Sequence, residues 1–200
     1  MAEPGGVPVD RELWVRLADA DDAALTELYR RHCDAVYNFA FRRTASWAAA
    51  EDVVQATFTS LWRRARVGTV DELRAESARA VLLVMAGHEC ANVARSARRQ
   101  RLLHGRLEAD AGGAVSADHA ASTAARVDDE QRMSEVRRAL SLIPVLQREA
   151  VELVVWSHCS LAEAAGALGV PVGTVKSRLH RARQSLTTVI EIDALKEALS

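Results

Sequence analysis

Cysteine, glycine, proline and aromatic residues are all scarce in this 200-residue chain, and each scarcity excludes something. The three cysteines, Cys33, Cys90 and Cys159, are odd in number, far apart and without a CxxC spacing, which argues against a disulfide framework and a zinc site. The pairs His32–Cys33, His88/Cys90 and His158–Cys159 put near neighbours on different faces of a helix. They read as small buried thiols beside partly exposed imidazoles, with no metal and no cofactor expected. With 10 glycines, 4 prolines and much alanine, the chain favours helix, and no β-branched run of period two points to a strand. No window approaches the roughly 20 apolar residues of a membrane span. Met1 to Pro8 lacks the basic start and apolar stretch of a signal peptide, so a cytoplasmic protein with no membrane insertion of its own is expected. The histidines have no recurrent Asp, Ser or Cys partner and no phosphate loop is present, so no enzyme is expected.

An overall basic balance is also missing: the formal net charge is −1. The charges are segregated, however. No Asp or Glu occurs from Ala164 to Ile190, where Lys176, Arg178, Arg181 and Arg183 lie, nor from Val93 to Arg106, which holds Arg95, Arg98, Arg99, Arg101 and Arg106. The acids sit in Asp19–Glu27, Glu51–Asp52, Asp71–Glu76 and Asp128–Glu135. A chain polarised in this way suits one partner for its cations and another for its acids.

The apolar spacing predicts an all-α protein of two small helical domains joined by a flexible linker. Residues 1–9 read as a disordered tail, 10–106 as a first domain, 107–128 as an Ala/Gly/Ser/Thr-rich linker and 129–200 as a second domain. In the first domain Leu13, Trp14 and Leu17 mark a short helix. Asp21 or Asp22 caps a second helix, with Leu25, Leu28, Tyr29, Val36, Tyr37 and Ala40 in helical rhythm. Ser46 caps a third, which carries Val54, Phe58 and Leu61 on one face and is interrupted at Val67-Gly68-Thr69. A long helix resumes after Asp71 and continues towards Leu103. In the second domain Val136, Leu140 and Ile143 form a stripe stopped by Pro144, and a further helix runs from about Leu146 to Trp156.

The stretch from Ser160 to Leu186 is the most informative. Ser160 and Glu163 form a capping-box pattern, and the helix Leu161–Leu168 stops at Gly169. After Pro171, Gly173-Thr174 opens a second helix with Val175, Leu179, Ala182 and Leu186 on its buried side. Its other side presents Thr174, Ser177, Arg178 and Arg181, flanked by Lys176, His180 and Arg183. Two helices joined by about four residues, the second lined with cations and hydroxyls, describe a helix-turn-helix whose second helix enters a major groove.

The segment from Leu161 to Arg183, with Leu140-Ser-Leu-Ile-Pro144 and Gln147-Arg148 upstream, resembles region 4 of the sigma-70 family, particularly its extracytoplasmic-function (ECF) members. Leu28-Tyr29, the run Ala50 to Phe58 and Leu61-Trp62-Arg63 resemble region 2 of the same factors. The resemblance implies an alternative sigma factor that binds core RNA polymerase and promoter DNA and is regulated by an anti-sigma factor. It implies polymerase contacts through Glu51, Asp52, Gln55, Phe58, Thr59 and Trp62. It implies −10 contacts through His88, Asn92, Arg95, Arg98 and Arg99, and −35 contacts through Pro171, Thr174, Lys176, Ser177, Arg178 and Arg181. Where many members read Trp-Leu-x-x-Ile-Ala-x-Asn-x-x-x-Asp, this chain has Val81 for the aromatic, His88 for the asparagine and Asn92 for the aspartate. Two other classes also fit parts of the sequence. A regulator that binds DNA without polymerase would use the helix-turn-helix alone, and an interaction protein would offer both domains as partner surfaces.

Overall fold

The computed structural model describes residues 8–107 and 123–198. Among these residues the chain is helical, without strands. α1 (Asp10–Ala18), α2 (Asp22–Thr44), α3 (Trp47–Arg66) and α4 (Arg79–Leu107) make the first module. α5 (Thr123–Ser141), α6 (Val145–Val151), a π-helical turn (Glu152–Trp156), α7 (Leu161–Leu168) and α8 (Val172–Ala198) make the second.

α2, α3 and α7 begin where a short polar side chain satisfies free N–H groups, whereas α1 and α6 start at Val9 and Pro144 without a side-chain cap. Asp21 accepts from the amides of Ala23 and Ala24, and Ser46 accepts from Ala49. α2 ends at Ala45 in a left-handed conformation (φ 51°), so α3 turns back against it at once. The first core is built from Leu13, Leu17, Leu28, Val36, Val53, Leu61, Leu82 and Leu83, all essentially inaccessible to solvent. These positions recur at helical spacing on α1 to α4, and their burial is the main favourable term for a domain this small.

The break between α3 and α4 is longer than the sequence predicts: residues 67–78 form no helix, and α4 starts at Arg79 rather than soon after Asp71. The cause is a long-range tie. Buried Asp10 accepts from the Ala78 amide (2.9 Å), the Ser77 hydroxyl (3.0 Å), His32 Nε2 (2.7 Å) and the Arg31 guanidinium (3.1 Å). His32 is therefore buried, not a partly exposed imidazole as expected. Burial by itself would raise the Asp10 carboxyl. The bonds from His32, Ala78 and Arg31 outweigh it and hold the group well below the usual carboxylate range.

In the second module Leu140, Ile143, Val151 and Ala182 form a small separate core. The expected helix from Leu146 to Trp156 is present, but its last turn widens to π geometry. The predicted linker is shorter at its C-terminal end, because Thr123–Asp128 already belong to α5. Residues 108–122 of that linker and residues 1–7 of the predicted tail lie outside the described residues. The two modules are not separate bodies here. α7 packs on α4 and α5 on α2, and Ala164, Ala165, Leu153 and Val175 join the core of the first module.

Candidate functional site

Three exposed surfaces carry the residues singled out from the sequence. The first is the outer face of α3. Glu51, Asp52, Gln55 and Thr59 are exposed at steps that keep them on one side of the helix, and Trp62 is half-buried beneath the Arg66 guanidinium, 6.0 Å from its ring centre. Beside this ridge α2 contributes Tyr29, Cys33, Asp34 and Tyr37 to a shallow groove of about 420 Å³. A second groove of about 300 Å³ continues it past Leu25, Thr26 and Trp62. Phe58 belongs to the floor, not the ridge: it is only 6% exposed and packs edge-on against Tyr29 at 4.9 Å. Tyr29 is the reverse case. It was expected among the core positions, yet it is 46% exposed at the junction of both grooves. Its hydroxyl keeps it at the rim, as an amphipathic ring prefers. A polar ridge beside an aromatic trough is a surface suited to a helical partner that offers both cations and apolar side chains.

The second surface is on α4. His88, Asn92, Arg95 and Arg99 are exposed at steps of four, three and four, so they share one face. Asn92 donates to Glu89 (2.9 Å) and accepts from Arg95, which holds the first part of this face in a fixed chain of side chains. Arg98 lies on the same helix, with its side chain outside the described residues.

The third surface is the helix-turn-helix. Ser160 and Glu163 form the reciprocal capping box, with Glu163 N–H donating to Ser160 Oγ (3.1 Å) and Ser160 N–H to Glu163 Oε2 (2.8 Å). Gly169 ends α7 with φ +65°, a conformation that requires glycine for a strain-free turn. α8 starts at Val172, and its Val175 and Ala182 are fully buried against α6 and α7. That packing turns Lys176, Ser177 and Arg181 outward, with Thr174 and Arg178 half-exposed and Pro171 exposed at the corner. No ion pair engages Lys176, Arg178 or Arg181 among the described residues, so these cations face solvent ready for phosphate or base edges. Ser177 is less free, because its hydroxyl donates to the Thr174 carbonyl (2.9 Å).

The described residues contain no group of three or more His, Cys, Asp or Glu placed to hold a metal, and no helix among them is long and apolar enough to cross a membrane. Cys90 and Cys159 are buried, and burial pushes the Cys90 thiol up to about 11, far from a reactive thiolate.

Sequence reasoning missed the charged residues where the modules meet: Arg42, Arg43, Glu130, Arg137 and Glu152. One signal was available. Glu152 interrupts the apolar run from Ala150 to Trp156, and a lone carboxylate in such a run marks a buried partner.

Comparison with known proteins matches residues 28–100 to the family model described as Sigma-70 region 2, and residues 133–186 to that described as Sigma-70, region 4. Among curated proteins, the chain is 29% identical over 178 residues to the ECF RNA polymerase sigma factor SigL of Mycobacterium tuberculosis, covering 87% of this chain and 93% of that one. It is 27% identical over 180 residues to the ECF RNA polymerase sigma factor SigK of Mycobacterium bovis, covering 88% and 91%. Among solved structures, the fold is similar to CnrH in complex with the cytosolic domain of CnrY. The TM-score is 0.62 at 24% identity, over 92% of this chain and 98% of that one.

Proposed function

The chain belongs to the sigma-70 family, in its extracytoplasmic-function branch, and from that premise we propose how its surfaces divide the work of an alternative sigma factor. Residues 10–106 hold core RNA polymerase and act on the −10 element, and residues 129–200 read the −35 element as duplex. On the first module Glu51, Asp52, Gln55 and Thr59 meet cations of the polymerase, while Trp62, with Tyr29 over a Phe58 floor, receives its apolar side chains. Phe58 acts by supporting the groove, which its burial favours over direct contact.

At the −10 element a base must leave the stack, at a cost of a few kcal/mol. Phosphate neutralisation by Arg95, Arg98 and Arg99 offsets part of it, with His88 and Asn92 on the same helix face towards the bases. Val81 stands where an aromatic is common in relatives of this type, and aromatic residues make up 4% of the chain. Less stacking makes melting weaker, so this factor needs close matches at both elements. At the −35 element Arg178 and Arg181 bond base edges or phosphates, Thr174 and Lys176 contact the backbone, and Pro171 sets the corner. Ser177 contributes through its place on the face more than through its hydroxyl, which is already engaged.

The observation that carries this reading is the pairing of an exposed acidic-polar ridge on one module with a face of cations on the other that no ion pair engages among the described residues. The protein acts in the cytoplasm by binding alone, without catalysis or cofactor, and an anti-sigma factor covers its polymerase- and DNA-binding faces until a signal arrives. Run-off transcription with core polymerase tests the central claim. A promoter-dependent transcript that requires this chain is expected. No transcript on any candidate promoter, together with no binding to core, would overturn it. Co-purification from the host tests the last claim, and recovery of polymerase alone would count against it.

A further inference from the structure

The contact between the modules combines a shared apolar core, where Leu153, Ala164, Ala165 and Val175 pack on the first module, with charged groups set against helix ends. The Arg42 guanidinium donates to the Trp156 carbonyl at 2.5 Å, and Arg137 donates to the Thr44 carbonyl, where α2 ends, at 2.9 Å. Glu130 accepts from the Trp47 amide, the first of α3, at 2.9 Å. Each pairs a cation with free C-terminal carbonyls or an anion with free N-terminal amides, the complement of the helix dipole. The seam also holds a buried pair: Glu152 Oε2 is 3.3 Å from Arg43, with the carboxyl side chain 3% exposed and the guanidinium 17%. Gly87 makes room for it, since a Cβ there would stand 2.6 Å from the Arg43 guanidinium.

This arrangement does not fit a working sigma factor. The −10 and −35 elements are roughly 25 base pairs apart, which is about 85 Å along B-form DNA. A compact 200-residue body has a radius of gyration of about 16 Å and spans only about 45 Å. With α7 packed on α4, the two DNA faces cannot reach both elements together. We propose that the seam is an autoinhibitory clasp, centred on Arg43 and Glu152, which closes the free protein and separates when polymerase and promoter draw the modules apart. This rests on the sigma-factor reading above.

The ionic centre of the seam, set beside the small side chains of Ala164 and Ala165, suits a contact that must open. An apolar plug of the same size would be more strongly held, whereas a buried ion pair adds little net stability. Here the pair is also incomplete, because Glu152 Oε2 has no hydrogen bond of good geometry. The small cavity beside it, about 110 Å³, is lined from α2 by Phe39 and Arg43, from α4 by Gly87 and His88, and from the second module by Glu149 and Leu168. The charged and titratable groups facing Glu152 are thus Arg43, His88 and Cys90 from the first module and Arg148 and Glu149 from its own. Burial pushes its carboxyl up to about 7, opposed by Arg43 and Arg148 and aided by Glu149. A group raised by closure favours the closed form at low pH and loses that advantage as pH rises from its ordinary value near 4.5 through 7. Over that interval the closed-to-open ratio falls on the order of a hundredfold.

Small-angle X-ray scattering of the full chain at pH 6 and pH 8 tests the clasp. Wild type is expected to be compact at pH 6 and larger at pH 8. Glu152→Gln, which keeps the shape of the protonated acid, should stay compact at both and thereby exclude the histidines as the source of the change. Glu130→Lys with Arg137→Glu, at positions outside the cores, should be expanded at both. In run-off assays the Gln variant should form active holoenzyme more slowly and the double variant faster. Equal dimensions for all three proteins at both pH values would overturn the clasp, even with full transcription. Loss of transcription alongside the expected scattering would instead fall on the sigma reading.

Discussion

Replacing Asp10 with alanine removes one carboxylate and strands four donors. Its magnitude follows from their surroundings. Arg31 retains Glu27 at 2.7 Å and keeps part of its hydration, so its loss is small. The Ala78 amide, fully buried, and His32, 8% exposed, have no comparable substitute, and Ser77 can rotate only partly towards solvent. A stranded buried donor costs about 1–3 kcal/mol and these losses do not add in full, so about 3 kcal/mol is expected. For a chain of this length that corresponds to a Tm lowered by about 6–12 °C. Urea titration and calorimetry read it directly. The pH dependence supplies a second readout. Because the native carboxyl is depressed, its contribution is present above about pH 4 and is lost as pH falls through the native value. The acid limb of the stability curve should therefore flatten in Asp10→Ala. A loss below about 1 kcal/mol with an unchanged acid limb would refute the claim that this network fixes α1, α2 and the start of α4 together.

Three further perturbations probe the surfaces. Asp52→Arg with Gln55→Ala should weaken binding to core polymerase at least tenfold by surface plasmon resonance while leaving the melting curve in place, since both side chains are exposed. Arg178→Ala and Arg181→Ala should each weaken −35 binding by about 1–3 kcal/mol if they read a base, with relaxed sequence preference at that position. A phosphate contact would instead lower the salt slope by about one. Ser160→Ala should cost about 1 kcal/mol in the helix-turn-helix, seen as faster hydrogen exchange at the Glu163 amide.

Local chemistry made most of the architecture legible before any coordinates. Asp21, Ser46 and Ser160 are caps with short-range partners, Gly169 sits at a turn that needs it, and the stripe Val175/Ala182 has strict helical spacing. The errors fall where the deciding partner is distant in sequence. The late start of α4 depends on Asp10, 68 residues upstream of Ala78. The burial of His32 has the same source. The early start of α5 goes with Arg126 and Glu130 reaching Trp47, a contact invisible to periodicity. That the residues of each candidate face share one side of a helix was legible from their spacing, whereas their proposed roles rest on the family resemblance. The seam was not legible: Glu152 in its apolar run signals a buried partner without naming it, and Arg42 and Arg43 look like ordinary charges until the two modules are placed side by side.

Trp47 gives the protein a built-in optical reporter. Its indole is stacked on Phe41 at 3.8 Å and lies beneath the Arg126 guanidinium at 5.5 Å, a cation supplied by the opposite module. Trp156 touches the same boundary through its backbone carbonyl, and Trp14 lines a cavity that also reaches Gly166 to Gly169 of α7. The Trp47 indole therefore changes environment when the halves part, and unlabelled fluorescence can follow that motion in real time.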